Sequence, residues 1–308
     1  MAIVTDLGNS RPMNFGGFAC GTSSALVVIP KEPVEIDFCA CDFACDYIEL
    51  ALYTTGAGKT ERNSDKTSIL FNLSSNTSSF LIKLINKNTG VETVLNDDTY
   101  GTFYDTGDLS QELKAGYIID WELVGTLLGN GTYLISITVT DFGNPITSKS
   151  HLYKCAPYSD KLADGTVKIV TTNEGIIEGG EDYDGITWSR AVRFDGFFGS
   201  PSFSLETSDY EDNDRNWNQN QDRINITYNL NTDLLPSGVS NQLILNDILA
   251  NRILIYDYNL LNTELFDGLE VRPESIEEPE YFEYNPNGAY SFVFKPVGNK
   301  PVKRNKFI

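Results

Sequence analysis

The chain has 308 residues, a formal net charge of −20, 41% apolar residues and an aromatic set dominated by Tyr and Phe. That length suits two domains of ~150 residues each, and the apolar share with strand-favouring aromatics excludes wholesale disorder. A strongly acidic surface repels nucleic-acid phosphates and anionic lipid, so DNA or RNA is excluded as a primary ligand over most of the surface, and no window approaches the ~18 consecutive apolar residues of a membrane span.

The N-terminal residues Met1 to Asp6 show neither a basic nor an apolar leader region, so the chain is expected to be made and left in the cytosol. Five cysteines are an odd number in a chain too large for a disulfide-stapled scaffold, and reduced, mostly buried thiols follow. Cys39 and Cys41 share one face of an expected strand over Phe38–Phe43, while Cys45 falls after the alternation and Cys20 is distant. Structural zinc wants four ligands in paired spacing, so no metal is assigned there. Gly56-Ala57-Gly58-Lys59-Thr60 imitates the end of a phosphate-binding loop, but the glycine that the motif needs five residues before Gly58 is Tyr53. A polar stretch, not a helix, follows, and a hairpin turn is the expectation.

Short strands come next. Ser68–Leu73 is rich in β-branched and aromatic residues, Phe80–Ile85 alternates, and Asn88-Thr89-Gly90 marks a turn. Tyr117–Leu123 is a further apolar run, and Gly129-Asn130-Gly131 leads into Thr132–Thr140. There Tyr133, Ile135, Ile137 and Val139 share one face and Ser136, Thr138 and Thr140 the other, which is the clearest period of two in the chain. With no long helical pattern between the runs, an antiparallel sandwich is expected over residues 1–155. His151 is the sole histidine. Lying in a strand end near the expected linker, it reads as a surface or half-buried residue, and without a partner in sight no triad or metal chemistry is assigned to it.

Lys154 to Gly165, with its proline, serine and glycine, reads as the linker to a second β-rich domain over residues 156–308. The net charge is −8 (10 basic, 18 acidic) over residues 1–155 and −12 (13 basic, 25 acidic) beyond. Strands are expected at Val167–Thr171, Thr187–Phe194, Ser202–Glu206, Ile253–Tyr258 and Tyr290–Phe294. Val239, Leu243, Ile244, Ile248 and Leu249 give one amphipathic stripe, so one short helix is expected near 239–250. The acidic groups Glu181/Asp182/Asp184 and Asp209/Glu211/Asp212/Asp214 match no calcium-loop pattern and read as solvated loops. The fold class is therefore mainly β, as two β-sandwich-like domains with one short helix in the second. No catalytic residue, cofactor or metal is assigned, and the chain reads as not an enzyme.

Trp188, Trp217, Tyr281, Phe282 and Tyr284 are candidate interface anchors, since Trp and Tyr are enriched at protein contacts. Their alternative is to line the groove of a carbohydrate- or receptor-binding module. Lys303, Arg304 and Lys306 form a basic C-terminal tail suited to an acidic neighbour or to DNA phosphates. Over roughly 215–308, the succession Gln221-Asp222-Arg223-Ile224, Tyr228-Asn229-Leu230, Ile255-Tyr256-Asp257-Tyr258, Glu280–Tyr284 and Tyr290–Phe294 is similar to tail-associated virion proteins of Bacteroidota phages, crAss-like phages included. Asp120-Trp121-Glu122-Leu123 with Gly129–Leu134 resembles strands of the same proteins. The resemblance implies a structural protein of a tail hub, ring or adaptor. Its partners would be copies of itself and other tail proteins, with DNA at most passing through a channel and no membrane insertion. It supplies no catalytic residues.

Overall fold

The computed structural model describes residues 47–58, 60–73, 79–95, 98–105, 113–141, 144–176, 182–199, 201–211, 217–236, 239, 243–260, 266–276, 280–281, 287–298 and 302–305. These residues are mainly β, with few and short helices, and no helix among them is long and apolar enough to cross a membrane. The expected strand at Phe38–Phe43, and Cys20, Cys39, Cys41 and Cys45, lie outside the described residues.

The first half builds two facing sheets. One runs β1 (Ile48–Tyr53), β8 (Asn144–Pro157), β7 (Gly131–Asp141), β3 (Ser79–Asn86), β4 (Glu92–Val94), with β1 parallel to β8 and the other pairs antiparallel. The other runs β2 (Lys66–Leu73), β6 (Leu113–Asp120), β5 (Gly101–Asp105). Period-two alternation explains the core between them. Tyr133, Ile135 and Ile137 of β7 meet Ile69 of β2 and Tyr117 and Ile119 of β6. Asn88-Thr89-Gly90 does turn the chain between β3 and β4, with Gly90 at φ +73°, a left-handed conformation that suits glycine.

Two local expectations change. The apolar run Tyr117–Leu123 splits: β6 stops at Asp120, whose carboxylate accepts the Glu122 amide at 3.0 Å and caps helix α1 (Trp121–Leu127). Trp121 and Val124 then plug the end of the sandwich. Gly56–Gly58 forms a single 3₁₀ turn and not a hairpin, because β1 and β2 on either side belong to different sheets.

Residues 158–165 are an ordered corner. Ser159 accepts the Leu162 amide and starts the one-turn α2 (Asp160–Ala163), and β9 (Thr166–Ile176) follows. Among the described residues no strand up to Pro157 pairs with one beyond Thr166. The second half is a sheet of β10 (Asp182–Phe198), β9, β14 (Arg252–Asp257), β15 (Asp267–Ile276), β18 (Ser291–Pro296), β12 (Trp217–Thr232) and β11 (Ser202–Glu211), with β19 (Val302–Asn305) also on β12. It curls on itself. β10 pairs with β9 along most of its length and with β12 at Gly196–Phe198, so β10-β9-β14-β15-β18-β12 form a closed ring of pairings.

The interior of that ring holds Val167, Ile169, Phe194, Leu230, Ile255 and Phe292. A small sheet of β13 (Leu235–Pro236), β17 (Asn287–Ala289) and β16 (Glu280–Tyr281) lies alongside. The helix expected near 239–250 forms as a five-residue π-helical turn, Leu243–Asp247. Leu243 and Ile248 enter the core as the stripe requires, and Asp247 is drawn in too, accepting from Thr171 at 3.1 Å and facing Arg190 at 3.3 Å.

Candidate functional site

Three features separate this molecule from a pair of ordinary β domains. The first is a buried ionic junction. Asp65 precedes β2, and its carboxylate receives Nε and Nη2 of Arg193 on β10, each at 2.9 Å, in the two-pronged geometry that guanidinium and carboxylate share. The same carboxylate accepts the Leu52 amide at 2.7 Å and faces Lys168 Nζ, on β9, at 3.0 Å. Lys168 also donates to the carbonyls of Ser64 and Glu61, at 2.8 and 2.5 Å, so all three ammonium protons have an acceptor. Arg193 further donates to Thr166 and lies 4.1 Å over the Tyr258 ring.

Burial by itself would raise the Asp65 carboxyl, but Arg193 and Lys168 outweigh it and hold it below its ordinary value. Burial lowers Lys168, with Asp65 recovering part of the loss. Asp247 is raised by burial, which Arg190 only partly offsets.

Glu49 on β1 extends the junction. Its carboxylate accepts the Arg193 amide at 3.1 Å and meets His151 Nε2 at 3.0 Å. His151 is thus neither at the surface nor half-buried, as its strand-end position suggested, but fully buried, with its ring against Tyr47 and Tyr153. The pairing of β7 with β8 slips between Leu134 and Ser136, opposite Ser150 and His151. The extra residue on β8 re-aims the local side chains, as bulges do. Trp188 of β10 packs elsewhere between the halves, over Gly116 of β6. It is 1% exposed, so it is not a surface anchor of the isolated chain. A Cβ at Gly116 of β6 would stand 2.5 Å from its ring, so glycine is what lets the indole lie on that strand.

The second feature is a cleft of about 620 Å³ between the two halves. One wall is the outer face of the three-stranded sheet, with Lys66, Ser68, Thr102 and Ile118; the other is Lys168, Val170, Thr172, Ser189, Arg252 and Leu254 of the closed sheet. Ser68 Oγ donates to the Ser189 carbonyl at 2.8 Å and ties the walls together.

The third feature is a surface. Phe203 and Leu205 of β11 stand directly opposite Ile226 and Ile224 of β12, so the four share one face of the hairpin. Phe203 is 67% exposed, Leu205 63% and Ile224 38%. Among the described residues β11 pairs with β12 alone, which leaves its other edge open.

The remaining residues singled out in the sequence are placed less fully. Trp217 opens β12 opposite Glu211, and Tyr281 lies in β16 opposite Gly288. Lys303 and Arg304 do not sit in a loose tail: they belong to β19, opposite Arg223 and Asp222. Phe282, Tyr284 and Lys306 lie outside the described residues, as do Glu181, Asp212 and Asp214. No group of three or more His, Cys, Asp or Glu among the described residues is placed to hold a metal ion. Sequence reasoning missed Asp65, Arg193, Lys168 and Glu49 altogether. Phe203 and Leu205 carried a signal, since Ser202-Phe203-Ser204-Leu205 alternates, but alternation does not say which face a core covers.

No protein-family model matches the chain, and no curated protein matches its sequence. The class its own geometry defines is a mainly β protein in which buried ion pairs join two sheet systems and Phe203, Leu205 and Ile224 are exposed on one hairpin face.

Proposed function

We propose that this chain is a structural component of a phage tail, of the hub, ring or adaptor kind, acting through contacts with copies of itself and with other tail proteins. The observation that carries the assembly part is the β11–β12 face. Monomeric proteins rarely leave a contiguous apolar face beside an open strand edge, because both invite association. Here Phe203 and Leu205 are more than three-fifths exposed on a strand that, among the described residues, pairs along one edge only. The tail as the site of assembly rests on the sequence resemblance of residues 215–308. Purified virions of the phage that encodes the chain provide the test. Mass spectrometry should find the protein at fixed stoichiometry and labelled antibody should mark the tail; virions that lack it would end the proposal.

A further inference from the structure

We infer that β11 pairs with β11 of a second copy of this chain, antiparallel and edge to edge, about a two-fold axis at Ser204. The pairing rests on the assembly reading of the hairpin and gives it a partner and a geometry. Among the described residues β11 pairs with β12 alone. Ser202, Phe203, Ser204 and Leu205 are all exposed, so this stretch has both faces in water. An unpaired strand edge recruits another strand unless charge, proline or a bulge guards it. Within β11 those guards lie past Leu205: Glu206, Asp209 and Glu211 bring negative charge, and the pairing with β12 slips between Ser208 and Asp209. Ser202–Leu205 holds neither a charge nor a proline.

The strand's own sequence selects the partner. Two copies related by an axis perpendicular to the sheet keep the same face up, so a residue can oppose only one that lies an even number of positions along the strand. Centring on Ser204 sets Phe203 of each copy opposite Leu205 of the other, and Ser202 opposite Glu206, so no two acidic residues meet. Centring on Leu205 would put Phe203 opposite Thr207, and centring on Phe203 would put Leu205 opposite Pro201, outside the strand. Centring on Glu206 would set that carboxylate against its own copy. Only the Ser204 register matches both apolar residues within the strand.

The register also continues what the hairpin already contains. Phe203 and Leu205 stand opposite Ile226 and Ile224, so the joined sheet β12-β11-β11-β12 carries the apolar row Ile226, Phe203, Leu205, Ile224 and, beside it, the same row reversed. Such cross-strand pairs are the unit that stabilises a sheet. Copies of a chain of net charge −20 also approach at least cost where the meeting stretch is uncharged. A two-fold contact of this kind closes on itself, so this edge gives a dimer and no longer chain.

Oxidative cross-linking of the full chain tests the pairing. Directly opposed residues of antiparallel strands have Cα atoms ~4.5–5.5 Å apart, inside the ~4.4–6.8 Å that a disulfide spans. Ser204→Cys under glutathione disulfide should therefore give a covalent dimer on a non-reducing gel, with no higher ladder. Position 202 faces Glu206 in this register, so Ser202→Cys should not link, and neither should the parent with its five native cysteines. Both positions are exposed, and circular dichroism should stay at the parental spectrum. Sedimentation velocity of the parent, run alongside, separates the two claims. A parent that associates while Ser204→Cys stays unlinked, or links no faster than Ser202→Cys, would overturn the two-fold edge and leave assembly through the hairpin standing. A parent that is monomeric at every concentration would end the assembly reading and this pairing with it.

Discussion

The junction and the hairpin face treat side chains in opposite ways. At the junction Asp65, Lys168, Arg193, Glu49 and His151 are removed from water, while on the hairpin Phe203 and Leu205 are left in it. A buried charge is tolerable only when partnered, and every formal charge around Asp65 has a partner within hydrogen-bond reach. On the hairpin, Ile226 packs against the core of the closed sheet, whereas Phe203, Leu205 and Ile224 on the same face are exposed. The two regions differ in what water reaches: the charges around Asp65 are withdrawn from it and paired, while Phe203 and Leu205 are left in it.

Removing the centre of the junction should have the largest effect. Asp65→Ala leaves Arg193 and Lys168 buried without their carboxylate and should destabilise the protein by about 3–5 kcal/mol in urea unfolding. A loss below about 1 kcal/mol would mean that water enters and the junction is not the closed ionic core drawn here. Next comes the indole of Trp188, packed on β6. Gly116→Ala puts a methyl 2.5 Å from the Trp188 ring and 3.0 Å from the Ile69 carbonyl. Overpacking against a buried ring and backbone should destabilise by about 1–3 kcal/mol, read from the same urea curves.

Acid sharpens the comparison with less disruption. The Asp65 carboxyl sits below its ordinary value when folded. Its stabilisation is therefore full above the unfolded carboxylate range near ~4 and is lost as pH falls through the lower folded value. Asp247 has the opposite sign. It is raised when folded, so its charged form destabilises at neutral pH and that penalty fades as pH falls through the folded value. Urea midpoints across the acid range should thus fall less steeply in Asp65→Asn than in the parent, and more steeply in Asp247→Asn. Identical slopes in all three would contradict the assigned ion pairs.

The sequence made some of this legible and concealed the rest for physical reasons. The β7 strand was readable because one face is apolar and the period is strictly two. The cap of α1 was also present, as Asp120 ahead of Trp121 and Glu122, but an apolar run crossing from strand to helix hides the change of period. The stripe from Val239 to Leu249 named the right core residues. It could not show that Asp247 would turn inward, because its partners Thr171 and Arg190 are far away in the chain. The junction was invisible for the same reason: Asp65 and Arg193 are 128 residues apart, and Glu49 and His151 are 102 apart. A lone histidine or aspartate in sequence carries no sign of a partner at that distance.

The smallest effect on stability should come from the hairpin, and it is the one that decides the account. Phe203→Ser with Leu205→Ser alters only exposed positions, so the unfolding free energy should stay within about 0.5 kcal/mol per site of the parent. Sedimentation velocity of the full chain over a wide concentration range, with and without that pair of substitutions, tests the central claim directly. The parent should form oligomers whose population grows with concentration, and the folded double variant should remain monomeric. A parent that stays monomeric throughout, or a variant that assembles as the parent does, would contradict the assignment of this face to assembly.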